Sequence, residues 1–283
     1  MKNQTPRVKT LLFAAAAFAG AALPANAQDA TATKTAMTPA ASTVTTPDAV
    51  PLAPQNSDSW QFGVTIPAWL VGIDGNTTIR GNQRDVHKSF NDLKQNLDQT
   101  FSLGLEAHKG KWGFYGGVGY MKFSNDGLGT LGVPASRELK FVIADAGVSY
   151  NLVKTEGETP FILDGTLGLR YWYTDLSLKI IGPGVSASRN LEDPVIGLRG
   201  SKYLTQKLHL DFAGDIGGFG ISDNQAELDW SASGMATYDF VKWFSLSAGY
   251  KAVGLDASKG SGANKNGMNV IFNGALIALK FKF

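Results

Sequence analysis

The last strand of the sequence ends on an aromatic residue, with no polar tail behind it. Counting back from the terminus in steps of two gives one apolar face, made of Phe283, Phe281, Leu279, Ile277 and Ala275. The other face carries Lys282, Lys280, Ala278 and Gly274, with Leu276 as its apolar exception. Chain ends of soluble domains usually fray into water, whereas a barrel must pair its last strand to close. We therefore expect a transmembrane β-barrel in which Phe281 and Phe283 act as an assembly signal.

The first residues are typical of an export signal. Three cations, Lys2, Arg7 and Lys9, precede an apolar core at 11–23, and Ala25-Asn26-Ala27 supplies a small-x-small cleavage pattern. That core is too short to span a bilayer as a helix, which needs about 20 residues. We expect a cleavable signal peptide over residues 1–27, and hence localisation in the outer membrane of a Gram-negative cell.

Composition limits the remaining possibilities. Residues 28–58 are rich in Ala, Thr and Pro, and we expect a disordered periplasmic leader there, with the barrel over residues 59–283. The chain has no cysteine, which excludes disulfides and thiol chemistry. Without the signal's three cations, 26 basic residues against 24 acidic ones become 23 against 24, so the charge indicates no nucleic-acid partner. The expected partners are outer-membrane lipid and lipopolysaccharide, the barrel assembly machinery and small solutes.

Alternation of apolar and polar residues, broken by turn signals, predicts about ten strands in an all-β, antiparallel, up-and-down barrel. An even number places both termini on the periplasmic side, with short turns there and long loops outside. The aromatic residues fall near the predicted strand ends, as the two girdles of such barrels do. The predicted strands cover residues 60–73, 101–108, 112–120, 137–150, 161–178, 190–203, 208–216, 228–238, 244–250 and 273–283.

The first long connection allows two arrangements. Residues 76–87 form a candidate hairpin turning at Gly81-Asn82, and a barrel that includes this hairpin in its wall has twelve strands. Residues 89–98 predict a short helix with Ser89 as N-cap and with Phe90, Leu93 and Leu97 on one face. Because that apolar face needs a surface to cover, we expect the helix to cap or enter the barrel mouth.

Three segments carry a resemblance to a known family. Trp69-Leu-x-Gly-Ile-Asp-Gly75, Ser89-Phe-x-Asp-Leu-x-x-x-Leu-Asp98 and Leu105-Glu-Ala-x-Lys-Gly-x-Trp-Gly113 resemble a largely uncharacterised family of proteobacterial, porin-like outer-membrane β-barrels. The resemblance covers roughly residues 60–120. It implies the barrel fold and the outer-membrane location, and it implies no catalytic residue.

Charged residues of both signs occupy the predicted lumen face. Buried charges must be paired or hydrated, so two alternatives stay open: interlocked charges that fill the barrel, or a gap that leaves a narrow water-filled path. Inward glycines favour the second alternative but also permit barrel curvature. The predicted lumen-lining residues are Glu106, His108, Asp145, Asp164, Arg170, Arg199, His209, Asp211, Asp215, Lys251 and Lys280, together with Glu227, Asp229 and Lys282.

Two histidines have an acidic residue on the same strand face. His108 lies two residues after Glu106, and His209 lies two residues before Asp211. Each pair fits an interior polar contact better than an acid–base unit, so we expect no enzyme, no metal site and no cofactor. The expected function is a narrow channel for small solutes, an envelope-structural barrel, or both. The alternatives are an adhesive barrel that acts through its outer loops and a lipid-modifying enzyme that uses His108 or His209.

Overall fold

The computed structural model describes residues 59–128, 134–180 and 185–283. The predicted signal peptide and leader, residues 1–58, lie outside the described residues. The described part is built almost wholly of strands. In chain order they are β1 (Gln61–Ile79), β2 (Asn82–Lys88), β3 (Leu97–Lys109), β4 (Trp112–Leu128), β5 (Pro134–Lys154), β6 (Phe161–Ile180), β7 (Val185–Tyr203), β8 (Leu208–Gly218), β9 (Leu228–Val241), β10 (Phe244–Lys259) and β11 (Asn266–Lys282).

Ten of these strands close into an antiparallel barrel. From β3 to β11 each strand pairs with its neighbours in sequence, β3 also pairs with β1, and β1 closes the circle by pairing with β11. The closing ladder is long, since its register runs from Gly63 opposite Lys282 to Thr78 opposite Gly267. Strand β2 pairs with β1 alone, beyond the level at which β3 pairs with β1. The ten-strand prediction is therefore confirmed, and the twelve-strand alternative is not observed.

Apolar side chains cover the outside of the barrel. Leu105, Leu167, Leu169 and Ile196 are all more than half exposed, as expected of a surface that faces hydrocarbon. Aromatic rings gather at the end that holds Gln61, Phe283 and the two-residue turn at Gly110-Lys111. Trp112 and Tyr150 pack there edge to face, with ring centroids 4.9 Å apart. The fold is thus a transmembrane β-barrel with the short turns at one end and the long hairpins at the other.

No helix in the described ranges is long and apolar enough to cross a membrane. The described part of the chain has one α-helix, α1 (Phe90–Leu93), which is followed by a 3-10 turn at Lys94–Asn96. It is shorter than the helix predicted over residues 89–98, because the chain is already extended from Leu97 onward as β3. Ser89 caps it as predicted, and a reciprocal hydrogen bond from the Ser89 backbone N–H to the Asp92 carboxylate completes a capping box.

The predicted hairpin of the first connection is present, with its turn one residue earlier than expected. Strand β1 continues to Ile79, and Ile79 pairs with Asn82 across the turn. Arg80 and Gly81 occupy the two central positions with φ of 49° and 76°, which is the left-handed geometry of a two-residue hairpin turn. Because Ile79 and Asn82 are paired, the turn centres on Arg80-Gly81 and not on Gly81-Asn82. Glycine adopts this conformation at no steric cost.

Candidate functional site: the barrel interior

The predicted lumen residues of both signs meet inside the barrel, in three contact groups. The odd-numbered residues of β5 and β9 and the even-numbered residues of β6 point inward, because successive side chains on a strand alternate between its faces. The alternation therefore brings together charges that are far apart in sequence. The first group lies in the middle of the barrel, and the other two lie toward the end that holds Gln61 and Phe283.

The first group centres on Arg170. Its Nε donates to Asp145 at 2.6 Å, and its two terminal nitrogens donate to the two oxygens of Asp215 at 2.9 and 3.0 Å. A further bond of 2.8 Å joins its Nη1 to Asp229. The Arg170 side chain is only 5 % exposed. One buried guanidinium thus links β5, β6, β8 and β9, and its Nη1 donates to both Asp215 and Asp229.

The second group centres on Arg199. Its guanidinium donates to Ser149 at 2.9 Å and to Glu106 at 3.2 Å. The same group lies 5.4 Å from the ring centroid of Tyr115 and 3.5 Å from an oxygen of Asp164. His108 contacts Glu106 at 3.3 Å, so the predicted pair forms. It forms as part of an ion-pair network in which Arg199 is the central cation.

The third group centres on Asp211, close to the terminal end of the barrel. One of its oxygens lies 2.9 Å from Nδ1 of His209, and Lys280 donates to the other at 2.7 Å. The hydroxyls of Ser201 and Thr237 donate to the same carboxylate at 2.5 and 2.6 Å. Each oxygen of Asp211 therefore has two partners, as burial of a carboxylate requires.

An acidic residue directly after the predicted strand 228–238 joins this third group, since an oxygen of Asp239 lies 3.6 Å from Nε2 of His209. Asp239 lies in β9, is 2 % exposed, and accepts from Lys282 at 2.9 Å and from Ser245. Its position follows from the alternation of β9, because Asp229, Thr237 and Asp239 are all odd-numbered. Glu227 was predicted to line the lumen, and the structure corrects this. It precedes β9, is exposed and accepts a hydrogen bond from Ser258, so it does not line the lumen.

The remaining predicted cation, Lys251, contacts an aromatic ring. Its Nζ lies 5.5 Å from the centroid of Trp69, within the range of a cation–π interaction. Trp69 is on β1, which lies two strands from β10 through the closing strand β11. Apart from Glu227, the predicted lumen charges are therefore each in contact with another side chain of the barrel interior.

An apolar layer lies directly beyond the Arg170 group, on the side of the long hairpins. Phe141, Trp172 and Phe272 pack face to edge or tilted, with ring centroids 4.8 to 5.9 Å apart. They are 5 %, 2 % and 4 % exposed. Val71, Leu191, Val253, Leu255 and Val270 belong to the same buried cluster. The sequence analysis missed this layer, which we call the aromatic plug.

A hydrogen bond connects the aromatic plug to the charged layer beneath it. The indole N–H of Trp172 donates to Asp229 at 2.8 Å, while the second oxygen of Asp229 accepts from Arg170. A buried indole usually needs such a partner. The charged layer therefore fixes the orientation of the largest side chain of the plug.

The charged groups of the interior cross-link the strands of the wall. Both histidines are held by carboxylates inside the network. Within residues 59–128, 134–180 and 185–283, no group of three or more His, Cys, Asp or Glu side chains is placed to hold a metal ion. Opposite charges are in direct contact, and hydroxyls donate to the remaining lone pairs. A network satisfied in this way makes the barrel interior rigid.

Comparisons with known proteins agree in fold class only. No family model and no curated protein matches the chain. Among solved structures, the outer-membrane protease OmpT of Escherichia coli is similar at 9 % identity and TM-score 0.49, over 80 % of this chain and 97 % of that one. The translocator domain of the autotransporter NalP of Neisseria meningitidis is similar at 12 % identity and TM-score 0.43, over 81 % of this chain and 90 % of that one. Ail, the attachment invasion locus protein of Yersinia pestis, is similar at 13 % identity and TM-score 0.36, over 79 % of this chain and 99 % of that one. At these values no function is transferred to this chain.

Proposed function

We propose that the protein is an outer-membrane barrel with a closed lumen and an envelope-structural role. The observation that carries the proposal is the aromatic plug of Phe141, Trp172 and Phe272, stacked on the Arg170 ion-pair group. The water-filled channel of a porin has a polar, hydrated lining. Here the charges contact one another, and the layer beyond them is apolar and buried from water.

The location is proposed from the outside of the barrel. Its exposed apolar belt matches a hydrocarbon surface, and the sequence predicts an export signal over residues 1–27. Outer-membrane lipid and lipopolysaccharide are then its surroundings, and the barrel assembly machinery inserts it. Short turns and both ends of the barrel-forming segment face the periplasm, and the long hairpins face outward.

The two predicted functions, a narrow channel and a structural barrel, differ in conductance. We expect purified protein in a planar bilayer to be electrically silent at ±100 mV, while a general porin added to the same bilayer gives discrete steps. Reproducible steps from the wild-type barrel would overturn the closed-lumen proposal and favour the channel.

The structural role predicts a phenotype of the envelope. A strain that lacks the protein should take up more of a large antibiotic such as vancomycin and be more sensitive to detergent with a chelator. Expression of the wild-type chain should restore the barrier. A deletion strain with an unchanged barrier would count against the structural role while leaving the closed lumen in place.

We also propose that His108 and His209 have no catalytic role. The support is their position inside the ion-pair network, against Glu106 and Asp211. The lipid A and phospholipid profiles of cells with His108→Ala and His209→Ala combined should match those of the wild type by mass spectrometry. An altered acyl-chain pattern in this double variant would favour a lipid-modifying enzyme instead.

A further inference from the structure

The wall of the barrel is open along one stretch between β1 and β3. On this side of β1, residues 61–65 pair with β3 and residues 73–79 pair with β2. Residues 66–72 pair with neither strand, although the other side of β1 stays paired with β11 through all of them. β3 meanwhile continues beside β4 as far as Leu97 opposite Phe123. We call this opening the β1–β3 seam.

Proline explains where the seam begins. Phe62 exchanges both of its backbone hydrogen bonds with Phe283 on the β11 side. Since alternate residues of an antiparallel strand bond to opposite neighbours, the odd-numbered residues of β1 turn their backbone toward β3. Pro67 falls on that side and has no N–H to donate. The ladder with β3 stops at Thr65, directly before the position where Pro67 would have to donate to it.

A cavity of about 380 Å³ fills the seam and reaches both faces of the wall. Its lining includes Ile66, Leu70 and Phe101, which are on the outer apolar surface and 38–55 % exposed. It also includes Leu93 of α1 and Phe123 of β4, which are buried inside. The apolar exterior of the barrel is thus continuous with its interior at the seam.

The lining determines what the seam can hold. The volume is within the range of roughly 300–1,000 Å³ that is usual for ligand sites, and nearly all lining side chains are apolar. Among the lining residues, all of which the structure describes, Lys94 alone is charged. It is exposed and follows α1 on the side of the long hairpins, which is the side of the outer leaflet. An apolar slot with a cation at its outer end fits an acyl chain whose anionic head group stays at the surface.

We propose that the β1–β3 seam binds one acyl chain of lipopolysaccharide, with the head-group phosphate at Lys94. The chain passes between Ile66 and Phe101 from the surrounding membrane and ends against Leu93, Met121 and Phe123. The continuity of the cavity with the membrane-facing surface and the charge at its mouth both favour this occupant. The inference is independent of whether the lumen conducts, because the seam opens sideways.

Photo-crosslinking can test occupancy directly. Protein reconstituted in phosphatidylethanolamine vesicles is illuminated with a diazirine-tagged palmitic acid, and the modified residues are mapped by mass spectrometry. We expect labels on Leu93, Met121 or Phe123, in addition to membrane-facing positions such as Leu169. Labels confined to membrane-facing residues would overturn the proposal, because ordinary surrounding lipid reaches only those.

Variants that fill the cavity distinguish labelling inside the seam from labelling of the membrane-facing surface. Ala68→Trp places a large ring in the slot and should reduce inner labelling at least fivefold. Ala146→Trp, on the outer face of β5, is the matched control and should leave it unchanged. A heat-dependent gel shift checks that each variant is folded, and Ser102→Phe fills the slot from β3 if Ala68→Trp fails this check. Inner labelling that persists in a folded, filled variant would contradict the site.

Competition identifies the lipid. Lipopolysaccharide added to the vesicles should lower inner labelling at least fivefold, and Lys94→Gln should weaken this competition. The control variant is Lys111→Gln, on the short turn at the opposite end of the barrel. If added phosphatidylglycerol competes and lipopolysaccharide does not, lipopolysaccharide is the wrong occupant.

Discussion

Arg170 and Asp229 form an ion pair of 2.8 Å across the interior, although two strands separate β6 from β9 in the wall. We expect Arg170→Met to lower the free energy of unfolding by about 3–5 kcal/mol, because Asp145, Asp215 and Asp229 would lose a shared buried partner. Urea unfolding in lipid vesicles, followed by tryptophan fluorescence, measures the change. Lys259→Met is the control: its ion pair with Asp223 is exposed, so no measurable change is expected. Equal effects of the two variants would contradict the structural importance of the Arg170 group.

The aromatic plug predicts a second result. Phe141→Ala combined with Phe272→Ala removes two of its three rings and should convert a silent barrel into one with discrete conductance steps. The control is Phe212→Ala, which removes a ring from the outer surface and should leave the barrel silent. A folded double variant that still passes no current would show that the charged layers alone close the lumen.

The alternation of the sequence was sufficient to predict the wall. The short turn at Gly110-Lys111 and the terminal strand follow directly from the period of two and the turn residues. The same parity predicts which charges point inward, and it puts Arg170 on the lumen face together with the acidic residues. Which acid it bonds to depends on the stagger of non-neighbouring strands, and periodicity carries no such information.

The aromatic plug was missed for a physical reason. In Phe141-Val142-Ile143-Ala144 both strand faces are apolar, so the alternation that separates lumen from membrane is lost there. Leu276, noted from the sequence as an apolar exception on the lysine face, is such a residue: it is 8 % exposed inside the barrel. The β1–β3 seam was missed because Pro67 was read as one residue of a continuous strand.

Two neighbouring glycines on adjacent strands should respond differently to the same substitution. A Cβ on Gly249 would lie 2.0 Å from the backbone oxygen of Gly234, whereas a Cβ on Gly234 would meet nothing within 4 Å. Gly249→Ala should therefore cost about 1–3 kcal/mol of unfolding free energy through overpacking, and Gly234→Ala about 0.5 kcal/mol or less. Urea unfolding of both variants in the same lipid tests the difference; similar values would contradict the close approach of the two backbones.

The cap of α1 predicts a local dependence on pH. The hydroxyl and backbone N–H of Ser89 donate to Asp92 and lower the pKa of that carboxyl below its ordinary value. Since the folded pKa is below the unfolded one, the cap stabilises α1 above the ordinary carboxyl pKa and is lost as the pH falls through the folded value. The cysteine-free chain allows a single spin label through Asn91→Cys, whose mobility should rise only in acid.

The control for this pH effect is a label through Lys111→Cys on the short turn, which should not respond. Adding Ser89→Ala to the Asn91→Cys variant should make the label mobile at every pH. A label that stays equally rigid in the Ser89→Ala variant would show that packing of Leu93, and not the cap, holds the helix.

Replacing Phe283 should lower the yield of assembled barrel in cells far more than it lowers the stability of the folded barrel. Its ring is 75 % exposed, while its backbone exchanges two hydrogen bonds with Phe62. Phe283→Ala keeps the backbone pairing, so the refolded barrel should lose about 0.5 kcal/mol or less. The amount of folded protein in cells should nevertheless fall several-fold if the terminal ring is recognised during insertion. Phe62→Ala removes a similarly placed ring from the first strand and serves as the control. Equal cellular yields of the two variants, measured by the heat-dependent gel shift, would contradict an assembly signal at the terminus.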